Sequence, residues 1–385
     1  MVAIRLALAG SLTGCGSTSA PPAAAPRAAP TATELARLYD TASQRAGKGD
    51  LDGALAALDE LDAAGWSFCP ADRDMPGLTE LPRYRELCAR MKQRAPVVER
   101  ATVAMTLPDP ELAPEGIAYD DVHRTLFVGS MAERKIVRIA PDGSQRDFAT
   151  RDAGLDAVLG LRVDAAHGLL WAASDALPNM PGYRETDAGR AGLFAFDLET
   201  GALHERFASP RGPSHLLNDV AIGPDGSAYA TETESGGVVV ARRGQASLAP
   251  WLPIGTLRYP NGIACDGESL FVAHLTGVAA IRLADGQRRD LAAPPGATLG
   301  SFDGLYIAGA TLFGVQNGFG STRVVRVDLD PGHRTALQVT VLESAHPALA
   351  SATTAALVTA EHKLLVIAGG DHQPSTILSV PTSSH

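Results

Sequence analysis

The sequence of 385 residues lacks an excess of basic residues, closely spaced cysteines and a G-x-S-x-G sequence around Ser130 or Ser174. Its 33 Lys and Arg are outnumbered by 43 Asp and Glu, and the formal net charge of -10 argues against nucleic acid or an anionic membrane surface as the main partner. Its 4 cysteines have no close C-x-x-C spacing, so a thiolate metal site is not expected. Ser130 and Ser174 lie outside any G-x-S-x-G sequence, which argues against a serine-hydrolase mechanism.

The chain is rich enough in apolar residues to fold, and two parts of it differ in pattern. Hydrophobic residues make up 45% and charged residues 20%, as in globular proteins. Apolar residues recur at helical spacing before Pro96, whereas short β-type runs separated by Gly, Asp and Pro follow it. We therefore predict an α-helical segment over residues 33–96 and a β-rich domain over residues 97–385. The helical segment is expected to be a small cap or spacer, or to bind a protein partner.

The N-terminus resembles a bacterial lipoprotein signal. Arg5 precedes a short apolar run, and Leu12-Thr13-Gly14-Cys15 has the small residues that precede cleavage and lipidation of a cysteine. The apolar run is too short to span a membrane, and an ordinary secretory signal is the alternative. We expect residues 1–15 to be the signal and Cys15 to carry a lipid anchor.

Residues 16–32, which follow Cys15, indicate in which compartment the protein resides. Residues 16–32 are rich in Ala and Pro and are expected to form a flexible tether. Gly16 stands where an aspartate would suggest retention in the inner membrane, so we expect an outer-membrane anchor that faces the periplasm. In that oxidising compartment Cys69 and Cys88 could pair, whereas Cys265 fits a buried apolar position.

A similar unit recurs six times in the β-rich part. The copies are roughly forty to sixty residues apart, which is the range of propeller blades. Six copies predict a mainly β fold, a six-bladed β-propeller, whose last blade takes its outer strand from Arg100–Leu107. A β-sandwich is the alternative, but it does not explain six equivalent units. The copies begin near Glu115, Leu159, Asn218, Asn261, Asp303 and Thr354.

Four of these six first positions carry an oxygen donor, namely Glu115, Asn218, Asn261 and Asp303. Equivalent positions of a propeller surround the central channel, so these side chains can converge on one cation. Two carboxylates and two amides suit Ca²⁺ best, with Zn²⁺, Mg²⁺ and Mn²⁺ as alternatives. Turn formation is the alternative for each Asn-Gly or Asp-Gly pair, but the shared offset favours a cation site. Without a cation, the crowded carboxylates would raise each other's pKa.

These motifs resemble those of the senescence-marker-protein, gluconolactonase and luciferin-regenerating family, six-bladed propellers with one divalent metal in the channel. Paraoxonase-type lactonases and calcium-dependent phosphotriesterases are also similar. The resemblance begins at about residue 97 and leaves out the helical segment. It implies that Asn218 binds metal or substrate and that Asp219 matches a carboxylate found in several relatives. The metal ligands that it implies are Glu115, Asn261 and Asp303.

One departure from the family bears on the substrate. Sugar-lactone hydrolases of the family have an arginine two residues before the substrate asparagine, and this chain has Leu216 there. Without that charge-assisted donor, a less polar lactone or ester fits better than gluconolactone. The stretch from Leu217 to Val220 also resembles the paraoxonase-type relatives. We therefore expect a membrane-anchored, calcium-dependent lactonase or esterase.

In such a hydrolase, the metal would polarise the carbonyl, and Asp303 or Asp219 would orient or deprotonate the attacking water. His215 is an alternative base. Two long connections, Asp175–Arg190 and Ala208–Ser214, are expected to form a rim that selects the substrate. A non-catalytic propeller that binds a ligand or partner around a structural cation is the alternative function. A condensing enzyme like strictosidine synthase fits less well, because its catalytic glutamate cannot be located here.

Overall fold

The computed structural model describes residues 30–70, 75–210, 212, 215–369 and 374–383. The predicted signal and Cys15 lie outside the described residues. The predicted fold class is confirmed, because helices near the N-terminus precede six four-stranded antiparallel sheets arranged as a propeller. None of the described helices has the length and apolar character needed to cross a membrane.

The helical segment contains α1 (Ala32–Gly47), α2 (Leu51–Ala63) and α3 (Pro82–Arg94). Local sequence sets where the helices begin. Thr31 and Glu34 cap each other at the start of α1, with Thr31 Oγ1 accepting from the Glu34 amide at 3.2 Å. Asp50 caps α2 by accepting from the Gly53 amide at 3.0 Å. A disulfide joins Cys69, in the connection after α2, to Cys88 of α3.

Each blade is one sheet whose strands follow one another in sequence. Blade 1 consists of β2 (Pro114–Asp120), β3 (Thr125–Ser130), β4 (Ile136–Ile139) and β5 (Gln145–Ala149). Blade 2 consists of β6 (Ala157–Asp164), β7 (Leu169–Asp175), β8 (Ala191–Asp197) and β9 (Leu203–Ala208). Blade 3 consists of β10 (Leu217–Ile222), β11 (Ala228–Glu232), β12 (Gly237–Ala241) and β13 (Ala249–Leu252).

Blades 4 and 5 repeat this order. Blade 4 consists of β14 (Ile263–Cys265), β15 (Ser269–His274), β16 (Gly277–Arg282) and β17 (Arg288–Asp290). Blade 5 consists of β18 (Phe302–Ala308), β19 (Thr311–Gln316), β20 (Arg323–Leu329) and β21 (Ala336–Glu343).

Blade 6 joins the two ends of the propeller. It consists of β22 (Ala355–Val358), β23 (Lys363–Ala368), β24 (Thr376–Pro381) and, on the outside, β1 (Thr102–Thr106). Thr102 of β1 lies opposite Ser379 of β24 in antiparallel register, so the predicted ring closure is confirmed. Closure covers the outer side of β24 with β1, so the last blade has four strands like the others.

The innermost strands β2, β6, β10, β14, β18 and β22 contact one another in turn around the channel. All six begin at the same end of the channel, because each leads its blade. The loops between second and third strands lie at that end too. The aligned first positions of the repeat therefore meet on one face of the propeller, which we call the donor face.

Candidate metal centre

Four innermost strands share an irregularity at the predicted donor position. The pairing register shifts between Pro114 and Ile117 in β2, and corresponding shifts occur near the start of β6, β10 and β18. An extra residue at such a bulge turns a side chain out of the regular alternation. The residues at the four shifts include Glu115, Leu159, Asn218 and Asp303.

These residues line one small cavity on the channel axis, which we call the donor cavity. Its volume is about 10 Å³, the space of a single water molecule or ion. The structure thus brings together Glu115, Asn218 and Asp303 from blades 1, 3 and 5. Leu159 and Thr354, the first positions of blades 2 and 6, complete the wall with Gly160 and Asp219.

Glycines beside the donors allow neighbouring blades to approach each other. A Cβ atom on Gly116 would lie 1.7 Å from the main-chain oxygen of Leu159, and one on Gly304 would lie 2.0 Å from Thr354 Oγ1. Gly160 and Gly262 meet the next blade in the same way. These glycines are needed for close packing around the axis rather than for turns, which was the alternative for the Asn-Gly and Asp-Gly pairs.

The carboxylates of Glu115 and Asp303, which both line the donor cavity, repel each other. Burial, together with the negative charge of Asp303, raises the pKa of Glu115 to about 8, against a weaker opposing effect of Thr353. Among the described residues no three His, Cys, Asp or Glu side chains cluster as a metal site. A cation at this position would therefore also need amide oxygens.

Two asparagines can supply those oxygens. Asn218 donates through Nδ2 to Thr233 Oγ1 at 3.2 Å, which orients its amide within the cavity wall. Asn261 does not line the cavity, but its Oδ1 is buried and has no hydrogen-bond partner in the described part of the chain. A buried carbonyl oxygen without a donor is uncommon in folded proteins and fits a ligand of a cation.

Asp219 lies beside the donors but has structural partners. Its carboxylate accepts from the amides of Val220 at 2.8 Å and Ile263 at 3.0 Å, and it lies 3.5 Å from the Arg162 guanidinium. Burial raises its pKa, and the charge of Arg162 opposes that rise. Arg162 also donates to the carbonyls of Val220, Ile263 and Leu305, at 2.7, 3.1 and 3.4 Å. Arg162 and Asp219 together thus connect blades 2, 3, 4 and 5.

His215 is on the donor face but outside the donor cavity. Its Nε2 lies 2.8 Å from the carbonyl of Pro210, which can only accept a hydrogen bond, so Nε2 carries the proton. Its Nδ1 is buried without a hydrogen-bond partner in the described residues and lies 4.0 Å from Glu232 Oε1. A neutral ring with the proton on Nε2 would offer the Nδ1 lone pair to a proton donor.

An apolar cluster lies next to the donors. Leu159 of the cavity wall packs with Ala176 and Met180 from the predicted rim Asp175–Arg190, and Leu216 packs against them. Leu216 therefore belongs to an apolar cluster beside the donor cavity. Part of the second predicted rim, Ala208–Ser214, lies outside the described residues.

Asn317 is a site residue that the repeat alignment did not identify. It lies in the loop between β19 and β20, and its Nδ2 donates to Asp303 Oδ2 at 2.5 Å and to the Ala352 carbonyl at 3.2 Å. The only signal in the sequence is an Asn-Gly pair in a turn, which does not indicate what the asparagine contacts.

No protein-family profile and no curated protein match the chain. A gluconolactonase from Xanthomonas campestris is 19% identical, with a TM-score of 0.51 over 74% of this chain and 98% of that one. A PQQ-bound aldose sugar dehydrogenase from Streptomyces coelicolor is 18% identical, with a TM-score of 0.50 over 74% and 100%. At these identities the similarity establishes the fold, on which unrelated chemistries occur. The chain therefore shares its propeller fold with a gluconolactonase, as the resemblance in its motifs implies.

Proposed function

We propose that the protein is a cation-dependent hydrolase that opens a lactone or ester of low polarity at the donor cavity. The observation that carries the proposal is the convergence of Glu115, Asn218 and Asp303 from three blades on one ion-sized cavity. The raised pKa of Glu115 and the buried Oδ1 of Asn261 support it, because a divalent cation would satisfy both. The mixture of carboxylates and amides suits Ca²⁺ best.

The ligands of the cation would be Glu115, Asn218, Asn261 and Asp303. A bound cation would polarise the substrate carbonyl and stabilise the oxyanion that forms from it. Asp303 is our candidate for orienting the attacking water, because Asn317 fixes its carboxylate through Oδ2. Asp219 is the weaker candidate, since two main-chain amides and Arg162 already engage its oxygens. His215 remains the alternative base through Nδ1.

The surroundings favour an apolar substrate. Leu216 packs with Leu159, Ala176 and Met180, so the wall beside the donors presents carbon rather than hydrogen-bond donors. A polyhydroxylated sugar lactone would lose hydrogen bonds to water there without replacing them. An alkyl lactone or aryl ester would instead bury its apolar part.

We further propose that lipid on Cys15 holds this enzyme at the outer membrane, facing the periplasm. The lipoprotein-like sequence ending at Cys15 and the bond between Cys69 and Cys88 support an oxidising envelope compartment. Labelled palmitate is expected in the wild type and not in Cys15→Ala. Equal labelling of the two would contradict the anchor.

The enzymatic proposal is tested by a hydrolysis screen over alkyl lactones, aryl esters and gluconolactone, with and without chelator. Chelation and Asp303→Ala are each expected to abolish hydrolysis of the apolar substrates. The control is Asp142→Ala, in an exposed turn between β4 and β5, which should retain full activity. Hydrolysis that survives both treatments would overturn the proposal. Calcium binding without hydrolysis of any substrate would favour the non-catalytic alternative.

A further inference from the structure

The helical segment packs on the donor face through one aromatic residue of the propeller. Phe319, in the loop between β19 and β20, is only 1% exposed and belongs to the helical core. Its ring centre lies 4.9 Å from that of Tyr39, 5.2 Å from that of Trp66 and 5.5 Å from that of Phe68, edge to face in each case. The ring of Phe319 is therefore surrounded by aromatic side chains of the helical segment.

The same loop contacts a predicted cation ligand, Asp303. Asn317 precedes Phe319 by two residues and donates from Nδ2 to Asp303 Oδ2 at 2.5 Å. A second bond, to the carbonyl of Ala352 at 3.2 Å, fixes Asn317 against blade 6. The helical core is thus connected to the Asp303 carboxylate through the short stretch from Phe319 to Asn317 and the hydrogen bond that Asn317 donates.

A second connection reaches the main chain before Asp303. The Arg323 guanidinium lies 4.2 Å from the ring centre of Phe68, and its Nε donates to Gln316 Oε1 at 2.8 Å. Gln316, 1% exposed, donates in turn to the carbonyls of Gly300 at 2.8 Å and Thr298 at 3.1 Å. The chain that leads into β18 is therefore held from the helical segment as well.

The packing at Gly300 shows how closely the loop fits. A Cβ atom there would lie 3.0 Å from Phe319 Cζ and 2.4 Å from the carbonyl oxygen of Leu275. The Phe319 ring thus lies directly against the main chain three residues before Asp303. If this ring moved away, the main chain at Gly300 would lose a packing contact.

We propose that the helical segment is a positioning element of the cation site, with Asn317 as the positioning residue for Asp303 and Phe319 as the anchor of the loop. The inference rests on the proposed cation site. Groups that orient the ligands of a metal by hydrogen bonding contribute about 10- to 100-fold to its affinity. The helices are then part of the site rather than a spacer.

The test is the Ca²⁺ affinity of the full chain, measured by calorimetry. Asn317→Ala and Phe319→Leu are each expected to weaken Ca²⁺ binding about 10-fold or more. The double variant is expected to bind no more weakly than Asn317→Ala alone, because both changes act on the same contact. The matched control is Phe196→Leu, the same change at a fully buried phenylalanine near the other end of blade 2, which should leave the affinity unchanged.

Failure of this inference is distinguishable from failure of the cation site. If Asp303→Ala abolishes binding while Asn317→Ala and Phe319→Leu bind like the wild type, the positioning role is wrong and the site stands. Effects that multiply in the double variant would likewise contradict a route from Phe319 through Asn317. If the wild type binds no Ca²⁺, or Asp303→Ala binds as tightly as the wild type, both proposals are overturned.

Discussion

Glu115 of blade 1 and Asp303 of blade 5 face the same cavity, and the charge of Asp303 adds to burial in raising the pKa of Glu115 to about 8. The folded protein without a cation therefore keeps a proton on Glu115 that the unfolded chain loses near the ordinary value of 4.5. Folded molecules then bind more protons than unfolded ones between these values. The contribution of Glu115 to stability is present below about pH 4.5 and is lost as the pH rises to about 8.

We expect the chelated wild type to lose more free energy of unfolding across this window than Glu115→Gln, which has no carboxylate to ionise. Ca²⁺ should stabilise the wild type more at the upper end of the window, because there it displaces fewer protons. Denaturant unfolding at both ends, with chelator and with Ca²⁺, measures both effects. The same pH dependence in the wild type and Glu115→Gln would show that the pKa of Glu115 is not raised.

Arg162 is expected to be a main source of stability in the channel. Arg162→Met removes the donor to three main-chain carbonyls and leaves the buried Asp219 carboxylate without its counter-ion. Breaking a buried ion pair from one side costs about 3–5 kcal/mol, to be measured by denaturant unfolding. Adding Asp219→Asn should restore part of the loss. Arg146→Met, on the exposed β5, is the control, and an equal effect there would contradict the prediction.

Close packing of blades 1 and 2 predicts that Gly116→Ala disturbs the donor cavity. The added methyl group would meet the Leu159 carbonyl oxygen, so the blades must separate beside Glu115. We expect a loss of about 1–3 kcal/mol in the free energy of unfolding, together with weaker Ca²⁺ binding. Gly47→Ala is the control, since nothing lies within 4 Å of a Cβ atom there. Unchanged stability and affinity in Gly116→Ala would refute the packing argument.

The disulfide should stabilise the helical segment. Replacing both Cys69 and Cys88 by Ala is expected to lower the free energy of unfolding by about 2–4 kcal/mol, because the unfolded chain regains freedom. Unfolding is followed under oxidising and reducing conditions, and the double variant should not respond to the reductant, whereas the wild type should. Cys265→Ala, at a cysteine that is free in the described part of the chain, is the control and should respond like the wild type. Equal midpoints for the wild type and the double variant would argue against a stabilising bond.

The repeat pattern was sufficient to predict the ring and its closure, because each copy carries the same strand order and occupies an equivalent position. For the same reason, Glu115, Asn218 and Asp303 could be expected to converge. The bulges that turn them inward depend on register between strands, which no single copy reveals. Asn317 was missed because its contact with Asp303 depends on the path of a loop.

The sequence of the helical segment also does not contain all the residues of its hydrophobic core. Its apolar spacing predicted the helices, but the ring that fills the space between Tyr39 and Trp66 comes from Phe319, far along the chain in blade 5. Periodicity within the helices carries no information about such a distant partner. The sequence alone therefore does not distinguish a cap, a spacer and a partner-binding element.

The pairing of β1 with β24 has a consequence for biogenesis. β1 precedes all other strands of the propeller in the chain, whereas its partner β24 follows all of them. During synthesis β1 therefore has no partner until β24 has been made, and neighbouring chains can join its free edge. Chaperones that shield unpaired β strands are expected to matter for the yield of this protein, and deletion of β24 should favour aggregation over a five-bladed product.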